Sequence, residues 1–333
     1  MIEDRKPSTK AEWLNMLIYG PFGTGKTVLA ATAQQCDTTK NVFYADAEGG
    51  TKSVRDFNIE LDVFRINTFA QFTRLYEFAR NHARLRDLLE DQKKGTPEYQ
   101  DTFDKLRRLE AYVNDIPDAE AFDRIKTPTL YRTIVVDSLT EVQKYCMYDI
   151  LGVDINTAKL TTENKQPEFK QWGINAEKMR LLVRAFRDIP MHTIFCCLDV
   201  TVKDEKDGST TIKPSLPGKL SDEVCGFLDI VGYMHVKDAV DVDGNKVQKR
   251  YLQVQPAGKV NAKSRYMALG SFIEEPTIGK IIKLIEDKRA FLSQTNAAKA
   301  AHAAETEPAK TTKPSVGAPI SAAATSTALP FKK

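Results

Sequence analysis

The stretch Gly20-Pro21-Phe22-Gly23-Thr24-Gly25-Lys26-Thr27 constrains this chain more than any other. It fits G-x-x-x-x-G-K-[ST], a loop whose glycines let successive backbone N–H groups face one centre. An apolar, β-prone run precedes it (residues 13–19, WLNMLIY) and a helix-forming run follows (residues 28–35, VLAATAQQ). Strand, glycine-rich turn and helix in that order make a phosphate cradle, to which the helix N-terminus adds positive potential. In that setting Lys26 reaches the β- and γ-phosphates and the Thr27 hydroxyl binds Mg2+. The chain is expected to bind ATP with Mg2+.

Downstream, apolar strands alternate with amphipathic helices. Residues 41–46 (NVFYAD) read as a second strand, followed by Ala47-Glu48-Gly49-Gly50, and residues 63–67 (VFRIN) read as a third. Thr68-Phe69-Ala70-Gln71 has capping-box form and opens a helix with Phe72, Leu75, Tyr76, Ala79 and Ala83 at helical spacing. Residues 84–126 are highly charged; Phe103, Leu106, Tyr112 and Val113 give them a modest apolar stripe, as in an inserted helical hairpin laid on the core. Residues 133–137 (TIVVD) form an almost pure β-branched strand ending in Asp137, the shape in which a buried strand delivers one carboxylate towards Mg2+.

A helix over 139–151, a polar loop over 152–171 and an amphipathic helix over 172–189 follow. Residues 193–198 (TIFCCL) make another apolar strand, and 201–214 a hairpin turning at Lys206-Asp207-Gly208. Residues 217–227 are helical in pattern. Residues 229–236 and 249–255 pair across a turn near Asp243-Gly244-Asn245, and a last helix covers 277–292. The expected fold is α/β: a P-loop core with a mostly parallel central sheet, helices on both faces, and a C-terminal β-hairpin region. A 12-residue arm precedes this domain, which spans 13–292. From Ser293 the composition turns to Ala, Thr, Pro, Ser and Lys, so 293–333 is expected to be disordered.

Composition narrows the setting. Net charge is +3, too mild to demand a nucleic-acid partner and compatible with one. The five cysteines lack any C-x-x-C, and the four histidines stand at no ligand spacing, which argues for buried thiols in a reducing cytoplasm and against zinc. No apolar run reaches membrane-spanning length, and residues 1–10 carry no signal-type apolar region.

Hydrolysis needs a carboxylate to orient or deprotonate the attacking water. In AAA+ ATPases that glutamate directly follows the Walker B aspartate, but Ser138 follows Asp137 here. Glu48 is the candidate, with Glu141, one turn into the next helix, as its rival. At these residues the chain resembles the RecA-like recombinase core, in which Asp-Ala-Glu ends the strand after the P-loop and Walker B closes on Asp-Ser. The matching residues are Asp46-Ala47-Glu48 and Ile134-Val135-Val136-Asp137-Ser138. More closely, it is similar to the small RecA-like ATPases of bacteriophage recombination modules, also described as phage nucleotide-binding AAA proteins. Glu48-Gly49-Gly50-Thr51, Gln171-Trp172-Gly173, Asp229-Ile230-Val231-Gly232 and Lys263-Ser264-Arg265-Tyr266 carry that likeness.

The resemblance implies an ATPase acting on single-stranded DNA in annealing, recombination or replication. Implied partners are a single-stranded-DNA-binding protein and further copies of the chain, in a ring or a filament; in a phage-encoded protein the compartment is the bacterial host cytoplasm. It places a γ-phosphate sensor at Leu198-Asp199, making Asp199 the candidate there. Lys263 and Arg265, with Lys259, become cations completing a neighbouring subunit's site. The family's two DNA loops correspond to 152–171, with Lys159, Lys165 and Lys170, and to 200–219, with Lys203, Lys206, Lys213 and Lys219. Lysines on such loops suit sequence-independent phosphate contact, although few aromatics stand beside them. The other open readings are a nucleotide-gated adaptor such as a helicase loader, and a small-molecule P-loop kinase.

Overall fold

A computed structural model describes residues 13–153, 166–205, 208–241 and 243–306, the last eleven of these by backbone alone. Its framework is one nine-stranded sheet. In chain order β1 is Asn15–Tyr19, β2 Val42–Asp46, β3 Asp62–Arg65, β4 Thr133–Asp137 and β5 His192–Cys197. Strands β6 (Asp199–Lys203) and β7 (Thr210–Pro214) form a separate two-stranded sheet. Then come β8 (Ile230–Val240), β9 (Lys246–Gln253), β10 (Lys263–Ser264) and β11 (Phe272–Glu274). The main order is β11-β9-β8-β1-β5-β4-β2-β3, with β10 on β8. From β8 to β3 every pairing is parallel, while β9, β10 and β11 are antiparallel to their neighbours.

The continuous apolarity of β1, β4 and β5 has a direct cause: each is buried along its whole length, covered by helices on both faces. Side chains alternate across the sheet. Met16 and Ile18 face a core built with Leu29 and Ala30 of α1 (Lys26–Ala31) and Ile278, Ile281 and Ile285 of α8 (Ile278–Thr306). Leu17 and Tyr19 face the other core. There pack α2 (Phe69–Glu90), α3 (Pro97–Asn114), α5 (Leu139–Leu151), α6 (Phe169–Arg187) and α7 (Leu220–Phe227), while α4 (Asp118–Arg124) packs on α3. Phe72 and Phe186 stack at 5.2 Å between ring centroids in this layer, and burying each ring contributes about 1.5–3 kcal/mol.

The Thr68–Gln71 capping box forms as its sequence predicts and starts α2. The charged stretch 84–126 becomes the end of α2 with α3 and α4, and buries Phe103 and Leu106. Tyr112, expected inward, is 46% exposed, because the helix turns that position to solvent. Two compact units are distinguished, Met1–Lys288 and Arg289–Lys333. Helix α8 does not stop at Ser293 but runs to Thr306, since the Ala-rich sequence there is a strong helix former. The expectation of disorder from residue 293 is corrected to that extent; 307–333, like the 1–12 arm, lies outside the described residues. No helix among the described residues is long and apolar enough to cross a membrane.

Candidate active site

The P-loop leaves the C-terminal end of β1, between its parallel neighbours β8 and β5, and open α/β sheets hold their ligands at such strand ends. Its first glycine is fixed by a close approach. Gly20 has φ 154°, and a Cβ there would lie 2.3 Å from the backbone oxygen of Met234 on β8. Gly25, at φ 94°, adopts the left-handed backbone that opens α1. The Lys26 side chain is buried, and its Nζ donates to the carbonyls of Gly20 and Pro21, each at 2.9 Å. Thr24 donates its hydroxyl to Pro21 at 2.9 Å, closing the loop on itself, and Phe22 stands on the rim, 79% exposed.

Strands β2 and β4 bring the carboxylates. Their register sets Asp46 opposite Asp137. Asp137 is 1% exposed, and one of its oxygens, Oδ2, accepts the Thr27 hydroxyl at 2.7 Å and the Tyr44 hydroxyl at 2.6 Å. Burial pushes the Asp137 carboxyl above its ordinary range, and the two hydrogen bonds act against that. The other oxygen, Oδ1, is buried with no partner among the described residues. A hydroxyl and a carboxylate with one free buried oxygen fit Mg2+, which takes one or two protein oxygens and leaves the rest to phosphate and water. Among the described residues no cluster of three or more His, Cys, Asp or Glu side chains could hold a metal, so the soft multi-ligand alternatives have no donor set here.

Asp46 holds the turn that presents Glu48. Its Oδ1 accepts the backbone N–H groups of Glu48 (3.1 Å) and Gly49 (2.6 Å), and its Oδ2 accepts from Thr51 (3.0 Å) and Arg65 (3.3 Å). Ala47 N–H donates to the Asp137 carbonyl at 2.6 Å, tying the turn to β4. The exposed Glu48 carboxylate accepts the Ser138 hydroxyl through Oε1. Glu48, Lys26, Thr27, Gly23, Gly25 and Phe22 all line one cavity of about 560 Å3, a size suited to a nucleotide-scale ligand. Beyond the loop its walls include Gln35, Asp56, Phe57, Glu275, Pro276 and Thr277, a mixture of polar and apolar groups.

Other sequence-derived candidates fall elsewhere. Asp199 is not in the cavity wall: after β5 the chain turns away, Ser215 N–H bonds the Leu198 carbonyl, and Asp199 opens the β6–β7 hairpin opposite Pro214. Lys263 and Arg265 do not reach their own chain's cavity either. The Lys263 ammonium donates to the carbonyls of Cys225 (2.5 Å) and Leu228 (3.2 Å) at the end of α7, and burial lowers its pKa. Arg265 pairs with Asp229 at 2.9 Å and donates to the Gly226 carbonyl at 3.1 Å. Glu141 is held by Lys144 at 2.5 Å and does not line the cavity. Of the loop lysines, Lys159, Lys165 and Lys206 lie outside the described residues, and Lys213 is paired with Asp222.

Three side chains of the site carried no sequence signal strong enough to single them out. Asp46 was visible only as part of Asp46-Ala47-Glu48. Tyr44, two residues earlier on the same face of β2, was legible as an apolar strand residue. Arg250 of β9 also lines the cavity, 224 residues after Lys26 by their numbers, and no local pattern marks it.

A search of curated proteins gave no match. The sequence model of a family described as AAA domain matches residues 13–266. That span takes in the P-loop, the β2 and β4 carboxylates and the Lys263–Arg265 loop. A match over more than half of this 333-residue chain, on a mostly parallel α/β sheet with the P-loop and the β2 and β4 carboxylates at the C-terminal ends of their strands, places it in the AAA-domain family of nucleotide-binding P-loop ATPases.

Proposed function

We propose that this chain is a RecA-like ATPase of the phage recombination type that hydrolyses ATP while bound to single-stranded DNA. The observation that carries the reading is the placement of Glu48. It extends from β2, beside the Walker B strand, and meets Ser138 in front of Lys26 and Thr27. A carboxylate on the neighbouring strand, rather than next to Asp137, is the RecA-like arrangement. Ser138 orients Glu48 to take a proton from water aimed at the γ-phosphate. Lys26 binds the β- and γ-phosphates, leaving its loop carbonyls for them. Thr27 and Asp137 hold Mg2+, which neutralises charge on the phosphate oxygens when bound.

The DNA side rests on exposed groups beyond the nucleotide site. Phe169 is 94% exposed and Trp172 45%, on the first turn of α6 beside Lys170. Their exposure, which the sequence alone does not show, gives bases a surface on which to stack beside Lys170. Lys203 and Lys219 stand exposed on or beside the β6–β7 hairpin. In an assembled ring or filament, Arg265 approaches the next subunit's phosphates, exchanging Asp229 for them. The test is ATPase rate with and without single-stranded DNA, together with mass measurement in both states. DNA alone should raise the rate and shift the mass upward. Stimulation only by a replication protein would assign the chain to the adaptor class, and Lys26→Ala should abolish binding and rate together.

A further inference from the structure

Arg250 is a cation at the nucleotide cavity that the ATPase reading has not used. Its side chain lines the same cavity as Lys26 and Thr27. It lies against the P-loop itself: a Cβ on Gly25 would fall 3.1 Å from its Nε and 3.3 Å from its Cδ. Both backbone polar groups of Arg250 are engaged. Its N–H donates to the Glu275 carboxylate at 2.7 Å, and its carbonyl accepts the Glu275 N–H at 2.8 Å. The guanidinium, by contrast, makes no hydrogen bond or ion pair among the described residues, and the residue is exposed. Its neighbour Lys249 is consumed by Glu274 at 2.6 Å. A pinned backbone with an uncommitted planar cation at a phosphate loop is a preorganised anion contact.

Sheet order fixes the side from which it acts. The P-loop follows β1; β4 and β2, which carry Asp137 and Glu48, lie on one side of β1, and β8 and β9 lie on the other. We propose that Arg250 binds the nucleotide's polyphosphate in its own chain, from the side opposite Asp137 and Glu48. The proposal rests on the nucleotide-binding reading above. It makes the long β8–β9 hairpin responsive to the ligand, because Arg250 sits in it and Met234 of β8 abuts Gly20.

The test is calorimetric titration of ATP and ADP with Mg2+ into the full chain and its Arg250→Gln, Arg250→Lys, Lys249→Gln and Lys26→Ala variants. Arg250→Gln should weaken both nucleotides at least about tenfold, since a charge-assisted contact is lost. Arg250→Lys should recover part of that, and Lys249→Gln should match wild type. The nucleotide-free melting temperature of Arg250→Gln should be unchanged. Mixing Arg250→Gln with Lys26→Ala chains should create no tight site, because both residues must lie on one chain. Binding by Arg250→Gln within twofold of wild type overturns the proposal. So does a loss that appears only with a lowered nucleotide-free melting temperature and that Arg250→Lys does not reduce. Tight sites in the mixture would move Arg250 to a neighbour's site. Wild type binding no better than Lys26→Ala would instead sink the nucleotide reading itself, and Arg250 with it.

Discussion

Thr27 donates its hydroxyl to Asp137 Oδ2 at 2.7 Å, joining the end of the P-loop to the end of β4 across 110 residues. The two Mg2+ candidates are thereby set against each other by the fold. Tyr44 adds a second donor to the same oxygen, so this carboxylate has one oxygen held and one free.

Tyr44→Phe removes that second donor while keeping the ring that fills the core. Supporting hydrogen bonds of this kind typically tune metal affinity by 10- to 100-fold. The Mg2+ concentration for half-maximal ATPase should rise about tenfold. A Mg2+ titration of the variant checks it, and an unchanged midpoint would leave Tyr44 a packing residue only.

Glu48→Gln keeps the shape of the side chain and its contact with Ser138, but loses the charge that accepts a proton. ATP affinity should stay within about threefold while turnover falls by at least about a hundredfold. Single-turnover kinetics separate the two. Wild-type turnover in this variant would hand the role to Glu141 despite its pairing with Lys144.

Arg265 is half-exposed and reaches only Asp229 and the end of α7 in its own chain. Arg265→Ala should therefore leave ATP binding by the isolated chain nearly unchanged and abolish assembly-dependent hydrolysis. Mixing it with Glu48→Gln chains should restore some activity, because one interface then joins an intact Glu48 to an intact Arg265. If the mixture co-assembles and stays inactive, the cation is not supplied between subunits.

Two histidines make stability fall on the acid side. Burial chiefly, then Arg86 beside His82 and Arg132 beside His192, lowers His82 to about 3 and His192 to about 4. Unfolded, both titrate near 6.5. The folded values lie below the unfolded one, so the unfolded chain holds more protons between them. Stability is full above pH 6.5 and declines as pH falls towards 4, by about 1.4 kcal/mol per unit for each histidine. His192 Nδ1 accepts the Leu14 N–H at 3.0 Å, a bond that Gln can keep. Urea unfolding between pH 7.5 and 5 should show the decline, and His192→Gln should flatten it by roughly half.

Helix α8 is anchored by Ile278, Ile281, Ile282 and Ile285, and its residues from Glu286 to Gln294 are exposed. Removing 296–333 should leave the melting temperature within a few degrees and the basal ATPase intact. Loss of either would show that the removed segment supports the nucleotide-binding unit.

The sequence by itself determined the nucleotide loop, the buried strands and the capped start of α2. Each of these is written in contiguous residues: glycine spacing, unbroken β-branched runs, and a Thr-x-x-Gln box. Asp137 was legible because it closes such a strand, and Glu48 because it stands two residues beyond the end of an apolar one. What needed the tertiary structure was every relation between strands. Register across the sheet put Tyr44 on Asp137 and made Asp46 the anchor of the Glu48 turn. The turn after β5 set Asp199 in the β6–β7 hairpin rather than in the cavity wall, and the carbonyls at the end of α7 drew in Lys263 and Arg265. Arg250 reached the P-loop only because β9 folds back beside β8, two strands from β1. Helix α8 passed residue 293 because helix propensity needs no apolar face, whereas burying a core does. Local patterns record hydrogen-bond periodicity and burial; which side chains share a charge is decided by strand order, which no window of sequence contains.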